Sequence, residues 1–299
     1  MPRTFSIITT CKGRLDHLKE SLPAMVAQGA KEVIVVDYSC PDGTGDYVAA
    51  TYPNVRLVRV EGEQHFSNWK ARNAGAEVAT GDMLVFVDAD IVLADGAIAS
   101  LDEQIPDGAY GCFDRETSWA VSKTRQGLTA NQIKGFLAVP ARAFHRLGGY
   151  DDVLLGYAAG ADTDLEDRMP LIKVAKQPLD PKILANVLDH DAASRTRHHA
   201  FPVRISYCAG LLYRDAKRVL LANRGKVQLP LKMRERLFEA ALAAAQDAAA
   251  KGFPGNRVSL LVNLYSYPVL MPRQLGYARG RQTVSLRVEI SLEGKLQRN

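Results

Sequence analysis

Short apolar runs and amphipathic stretches alternate through the first hundred residues. Phe5 to Thr10, Glu32 to Asp37, Val55 to Val60 and Met83 to Asp88 are compact and rich in Val and Ile, the pattern of buried strands. Between them, Asp16 to Gln28, Gly45 to Tyr52, Asn68 to Val78 and Gly96 to Gln104 read as helices. This rhythm predicts an α/β fold built on a mostly parallel sheet flanked by helices. In such sheets ligands bind beyond the carboxyl ends of the strands. Three of those ends carry chemistry: Thr10-Cys11-Lys12-Gly13-Arg14, Asp37-Tyr38-Ser39-Cys40-Pro41-Asp42 and Asp88-Ala89-Asp90.

From Gly108 to Asp189 the texture is mixed. Strands are expected at Ala109 to Asp114 and Gly135 to Pro140, with a helix from Ala141 stopping at Gly148-Gly149 and another from Asp162 through Met169. Beyond Arg195 the chain turns to Leu, Ala and Arg at helical spacing, notably Val203 to Asn223 and Leu231 to Lys251. We therefore expect a sheet domain over residues 1–200 and a basic, largely helical extension over 201–299.

Composition narrows the class. At 299 residues and 47% hydrophobic content the chain can bury a large core and is neither disordered nor fibrous. Cys11, Cys40, Cys112 and Cys208 lie far apart in sequence without any C-x-x-C spacing. That argues against a zinc or disulfide scaffold and fits a reducing, cytoplasmic setting. A strand begins at Phe5, leaving no room for a secretory leader, and no stretch reaches transmembrane length.

The net charge of +5 hides an asymmetry. Residues 1–194 carry 19 Lys+Arg against 27 Asp+Glu, and residues 195–299 carry 19 against 6. An acidic part and a basic part suit a protein that holds a cation in one place and meets phosphates or an anionic surface in another. Arg204, Arg214, Lys217, Arg218 and Arg224 among leucines and tyrosines suggest a peripheral contact with an anionic membrane face, though a buried amphipathic helix fits them equally. No nucleic-acid reader motif accompanies the basic residues, so nucleic acid is not an expected partner.

The strand-end residues then acquire candidate roles. Asp88 and Asp90 are spaced i, i+2, so on an extended backbone both point to one side and could address a hard cation such as Mg²⁺ or Mn²⁺. An isolated Asp-x-Asp more often only ends a strand and caps the next helix. Asp37 could accept hydrogen bonds from a base or ribose, or serve its turn. Thr10, Lys12 and Arg14 could meet a base or phosphates, and Arg72 and Asn73 could orient a nucleotide, with Gly75 allowing close helix packing. Asp162 opens a helix after a flexible loop bearing Tyr157, which suits a general base acting on an acceptor hydroxyl held near Tyr157 and Asp164. Helix capping also favours Asp there. His190 is the candidate third cation ligand beside Asp90, and an imidazole would favour Mn²⁺.

Taken in order, Lys-Gly-Arg, Val-Val-Asp-Tyr-Ser, Arg-Asn-x-Gly, Phe-Val-Asp-Ala-Asp, Leu-Gly-Gly-Tyr-Asp-Asp and Gly-Ala-Asp-Thr-Asp-Leu resemble the family 2 glycosyltransferases of the GT-A fold over roughly residues 4–200. Asp-Tyr-Ser-Cys-Pro-Asp-Gly and Gly-Gly-Tyr-Asp suggest the galactosyltransferase-like branch. The resemblance implies a Rossmann-like sheet, a nucleotide-sugar donor that is usually UDP-linked, and a glycan or lipid-linked acceptor. It implies that Asp37 contacts uracil, Asp88 the ribose or a metal-bound water, and Asp90 the metal. His190 would complete the metal shell and Asp162 would be the catalytic base of an inverting transfer. The family commonly has Glu before that base, where this chain has Ala161.

Two alternatives remain at the level of sequence. A sugar-phosphate nucleotidyltransferase would carry Gly-x-Gly-x-Arg after the first strand, which Thr10-Cys11-Lys12-Gly13-Arg14 lacks. A nucleotide-sugar-binding protein without catalysis is raised by Ala161. A dehydrogenase is disfavoured because no Gly-x-Gly-x-x-Gly follows a strand.

Overall fold

The computed structural model describes residues 2–114, 133, 135–188, 193, 196–222, 226–263 and 285–292. The chain divides into two compact units, Met1–Tyr150 with Leu165–His198, and Asp151–Asp164 with His199–Asn299.

In the first unit, β1 (Phe5–Cys11), β2 (Glu32–Tyr38), β3 (Arg56–Val60) and β4 (Met83–Phe86) pair in parallel. Beyond them come β5 (Ile91–Leu93), β6 (Ala109–Cys112), β7 (Leu137–Pro140), β8 (Ala175–Pro178) and β9 (Leu184–Val187). The main sheet has the order β3-β2-β1-β4-β7-β6-β8, with β7 antiparallel to both neighbours, and β5 pairs with β9 in a small sheet. The expected mostly parallel architecture is therefore observed.

The reason lies in the side chains. Every residue of β1 and β4 is buried, as strands covered on both faces require. Helices α1 (Leu15–Val26), α2 (Thr44–Thr51), α3 (Asn68–Val78) and α4 (Ala97–Gln104) supply the cover. Ser67 caps α3, its side chain accepting the Lys70 N–H. Gly75 lets α3 approach the sheet: a Cβ there would stand 2.5 Å from Ile8 Cγ2 and 3.0 Å from Val36 Cγ2. After β7, α5 (Ala141–Arg146) closes at Gly148, as the paired glycines predicted.

Helix α6 (Ala161–Arg168) begins in the second unit. That unit also holds α7 (Val203–Ala222) and α8 (Leu231–Ala250), packed along each other, with Tyr213 edge-on to Phe238 at 5.9 Å between ring centres. It is not wholly helical. β10 (Arg257–Asn263) and β11 (Ser285–Ser291) form an antiparallel pair, with Val258, Leu260, Val262, Val288 and Ile290 buried. Of the basic residues that suited a membrane face or a buried amphipathic helix equally, Lys217 is buried, 1% exposed, and Arg224 lies outside the described residues. Among the described residues no helix is long and apolar enough to cross a membrane.

Candidate active site

The sequence Asp88-Ala89-Asp90 does not continue the strand. β4 ends at Phe86, and the Ile91 N–H returns to the Asp88 carbonyl at 3.0 Å, so both aspartates lie on a tight turn between β4 and β5. This corrects the expectation of one extended face. It also removes the helix-cap alternative, because Ile91 opens a strand.

Each carboxylate has its own support. Arg72 Nη2 donates to Asp88 Oδ1 at 2.7 Å, and Asn68 Nδ2 reaches the same oxygen at 3.5 Å. Thr10 Oγ1 donates to Asn68 Oδ1 at 2.7 Å, which ties the end of β1 into the network. Asp90 is mostly buried and pairs with Arg14 Nη1 at 3.3 Å. The Leu188 N–H donates to the Asp90 carbonyl at 2.7 Å. That bond brings the end of β9 to the turn two residues before His190, which itself lies outside the described residues.

Arg72, expected to orient a nucleotide, is 1% exposed and turned toward protein groups. Its guanidinium also donates to Tyr150 Oη at 3.0 Å and to the Gly135 carbonyl, and it lies over the rings of Trp69, Phe86 and Tyr150. Arg72 is thus a positioning residue beneath Asp88. Gly135 belongs to the same arrangement, since a Cβ there would overlap the Asp88 carboxylate. Asn73 clamps the glycine motif: Oδ1 accepts the Tyr150 N–H at 2.9 Å and Nδ2 donates to the Tyr150 carbonyl at 3.0 Å.

Lys12 requires a second correction. It is 7% exposed, and Nζ donates to the carbonyls of Tyr38 at 3.2 Å, Ser39 at 2.9 Å and Glu63 at 2.7 Å. An ammonium has three protons, so these bonds use its donor capacity. Lys12 fastens the segments after β1, β2 and β3 together and is not disposed to grip a phosphate. Next to it Gly13, at φ +69°, leaves room that the His198 ring fills. Burial and then the Lys12 and Arg197 charges hold His198 below the usual histidine value.

Asp37 ends β2 with both oxygens engaged, Oδ1 by the Cys40 N–H at 2.8 Å and Oδ2 by the Gly45 N–H at 2.9 Å. Arg59 Nη1 stands 3.8 Å from Oδ2. Asp37 therefore performs its turn role while also lining an open cleft of about 260 Å³ with Ser39, Cys40, Arg59, Val60, Glu61 and Gly62. The cleft lies at the carboxyl ends of β2 and β3, where this architecture takes ligands.

Residues 6–139 match the family model for glycosyl transferase family 2. Over that span the chain is similar to the family 2 glycosyltransferases. Among solved structures it is similar to the mannosyltransferase PcManGT from Pyrobaculum calidifontis in complex with GDP-Man and Mn²⁺. That pair shares 19% identity with a TM-score of 0.53, over 84% of this chain and 80% of the other. Residues 1–349 of TarS from S. aureus are similar at 15% identity and a TM-score of 0.52, over 83% of this chain and 73% of the other. These likenesses establish the GT-A fold. A search of curated proteins finds no match.

The remaining candidates belong to the second unit. Asp162 lies half-buried in the first turn of α6, after a loop in which Gly156, Ala158 and Gly160 all have positive φ. Tyr157 is half-buried in that loop, edge-on to His199 at 5.6 Å. Ala161 is fully buried.

Asp164 was expected to meet an acceptor. Instead it is 4% exposed, and both its oxygens accept from Lys217 Nζ, at 2.7 and 2.9 Å. Lys217 also donates to Asp151 at 2.5 Å, where Tyr213 Oη and Arg234 Nη1 donate at the same distance. Burial is the largest influence on Asp151 and pushes its carboxyl up, but the Lys217 and Arg234 charges bring it net below the usual value. This buried ionic cluster is structural. The helix spacing of Lys217 gave no sign of it, because its partners lie far away in sequence.

Proposed function

We propose that this chain is a glycosyltransferase that takes a nucleotide-sugar donor with the base in the cleft beside Asp37 and the diphosphate toward Asp88 and Asp90. The observation that carries the reading is the turn holding two carboxylates, one fixed from below by buried Arg72 and the other paired with Arg14. Fixed groups aimed at a developing charge need no reorganisation during reaction.

The donor set fits a divalent cation. Two carboxylates from one turn supply the hard oxygen ligands that Mn²⁺ or Mg²⁺ prefer, with substrate phosphate able to complete the shell. Among the described residues no third His, Cys, Asp or Glu joins them, so His190 is the candidate for that place. Asp90 would be the principal ligand, and the cation would neutralise charge on the departing diphosphate. Arg14 contributes a second positive group beside Asp90. The similar mannosyltransferase is in complex with GDP-Man and Mn²⁺, which supports a metal-dependent nucleotide-sugar donor and makes GDP-sugars the comparison for the UDP-hexose or UDP-N-acetylhexosamine implied by the motifs.

Asp162 is the proposed general base. A carboxylate is favoured in the first turn of a helix. It would accept the proton of an acceptor hydroxyl as that oxygen attacks the anomeric carbon, giving single displacement with inversion. Tyr157 is the proposed acceptor contact, and the acceptor is a glycan or lipid-linked sugar. The excess of basic residues beyond 195 is consistent with peripheral contact to anionic lipid at the cytoplasmic face.

The test is a calorimetric panel of UDP- and GDP-sugars with Mn²⁺ or with chelator, followed by transfer assays. Asp90→Asn is expected to abolish metal-dependent binding. Asp162→Asn should retain donor binding while transfer falls by about 10²-fold or more. Full turnover by Asp162→Asn, or binding indifferent to metal and to Asp90, would defeat the proposal.

A further inference from the structure

Two cysteines far apart in sequence meet behind the donor cleft. Parallel pairing of β1 with β2 sets Cys11 opposite Asp37, and the turn after β2 brings Cys40 back toward it. The Thr44 hydroxyl stands 3.1 Å from Cys40 Sγ and 3.2 Å from Cys11 Sγ, and the Gly13 N–H donates to Cys40 Sγ at 3.1 Å. The wide sequence spacing of the cysteines, which argued against a disulfide scaffold, gives no sign of this approach.

The two sulfurs differ in access and in state. Cys11 is 1% exposed, whereas Cys40 is half-buried and lines the cleft. The Cys11 hydrogen bond is the largest influence on Cys40; with Thr44 and the Asp42 and Gly13 backbone it outweighs burial and lowers the Cys40 thiol to about 5. The same hydrogen bond, then burial, raises Cys11 well above its ordinary value. The thiol that favours its thiolate is thus the one open to the cleft, and the one that favours its proton is closed to solvent. Cys112, raised to about 12 by burial and then by Glu166, has no comparable activation.

We propose that Cys40 is a peroxide-reactive site resolved by Cys11, and that the disulfide between them weakens donor binding. The Cys40 thiolate attacks hydrogen peroxide: an S–O bond forms, the O–O bond breaks, and the leaving hydroxide takes a proton to become water. Cys11 then attacks the Cys40 sulfur, forming the S–S bond and expelling the sulfenic hydroxyl, which leaves as water with the Cys11 proton. Peroxide gains two electrons and the two cysteines lose them. The Cys40 N–H holds Asp37 Oδ1 at 2.8 Å, so drawing Cys40 toward Cys11 displaces the residue that lines the cleft. This last consequence rests on the donor reading above, while the thiol chemistry does not.

The test treats full-length protein with hydrogen peroxide and follows both peptide mass and nucleotide-sugar binding. The expected result is a Cys11–Cys40 linked peptide lacking two hydrogens, formed with loss of affinity and reversed by dithiothreitol. Cys11→Ser should instead accumulate a sulfenic acid at Cys40 that dimedone traps. In untreated wild-type protein, which removes any question of variant folding, iodoacetamide at pH 6 should label Cys40 at least about ten-fold faster than Cys112 or Cys208. Equal labelling, or peroxide treatment that yields no Cys11–Cys40 link, would overturn the site. A disulfide that leaves affinity unchanged would overturn its effect on the cleft. A reduced protein that binds no nucleotide-sugar would count against the donor reading while the mass result still decides the thiol chemistry.

Discussion

Replacing Arg72 with Met tests whether Asp88 is held from below or whether Arg72 touches the donor. Met fills much of the same volume but removes the guanidinium, and with it the bonds to Asp88, Tyr150 Oη and the Gly135 carbonyl. A hydrogen bond to a charged group contributes about 1.5–3 kcal/mol. The Tyr150 and Gly135 bonds are buried and count in full, whereas the Asp88 side chain is 31% exposed and its share is discounted for solvent screening. The two buried bonds give roughly 3–6 kcal/mol and the screened Asp88 bond adds at most about 1, so the loss is at least that of removing one partner of a buried ion pair, about 3–5 kcal/mol. Urea unfolding of the ligand-free protein, followed by circular dichroism, measures it, and calorimetry with the nucleotide-sugar measures affinity. Loss of stability together with loss of affinity is the expected result. If the ligand-free variant lost less than about 1 kcal/mol while donor binding disappeared, Arg72 would be a donor contact and the reasoning would fail.

Three further outcomes follow from the same geometry. Gly135→Ala places a methyl group against the Asp88 carboxylate, so donor affinity should drop by roughly ten-fold, about 1.4 kcal/mol, in a calorimetric titration. Lys217→Met removes a charge that compensates both Asp164 and Asp151, costing about 3–5 kcal/mol in urea unfolding. The Asp151 carboxyl is depressed in the folded protein, so its stabilisation is complete above the unfolded value of about 3.9 and is lost as pH falls through the lower folded value. Urea midpoints between pH 7 and 2.5 should show this acid-side loss in the wild type. It should shrink in Lys217→Met, where the folded carboxyl moves back up.

How far the sequence could be read depended on the range of the interactions involved. Helix α3 was expected at Asn68 to Val78 and occupies those residues, because its Ser67 cap and apolar spacing are local signals. β1, β2 and β3 likewise end within a residue of expectation. The Asp-x-Asp turn was misread as a strand because Val87 is as apolar as the residues before it. Only the Ile91-to-Asp88 hydrogen bond ends the extended run. In β10 and β11 the alternation of Val258, Leu260 and Val262, and of Val288 and Ile290, was present as a period of two but lay beyond a helical stretch that set the expectation.

The site residues divide along the same line. Charged residues were assigned to solvent or ligand because burial of a charge is unreadable until its partners are known. Among the described residues no acid pairs with Lys12; three backbone carbonyls from two loops surround it, and carbonyls leave no mark in a sequence. Arg72 meets Asp88, Tyr150 and Gly135, and Lys217 meets Asp151 and Asp164, all across long separations. Cations read as ligand contacts are thus partly the frame of the site, and this sharpens the roles of those that remain. Arg14, 19% exposed and paired with Asp90 at 3.3 Å, keeps a looser geometry than Arg72, 1% exposed and 2.7 Å from Asp88. A guanidinium held that loosely can exchange its carboxylate for a phosphate at small cost, whereas one buried among three rings cannot leave without opening the core. On the proposed donor reading, Arg14 is therefore the cation beside this turn suited to respond to a donor, and Arg72 the one that keeps Asp88 in place before the donor arrives.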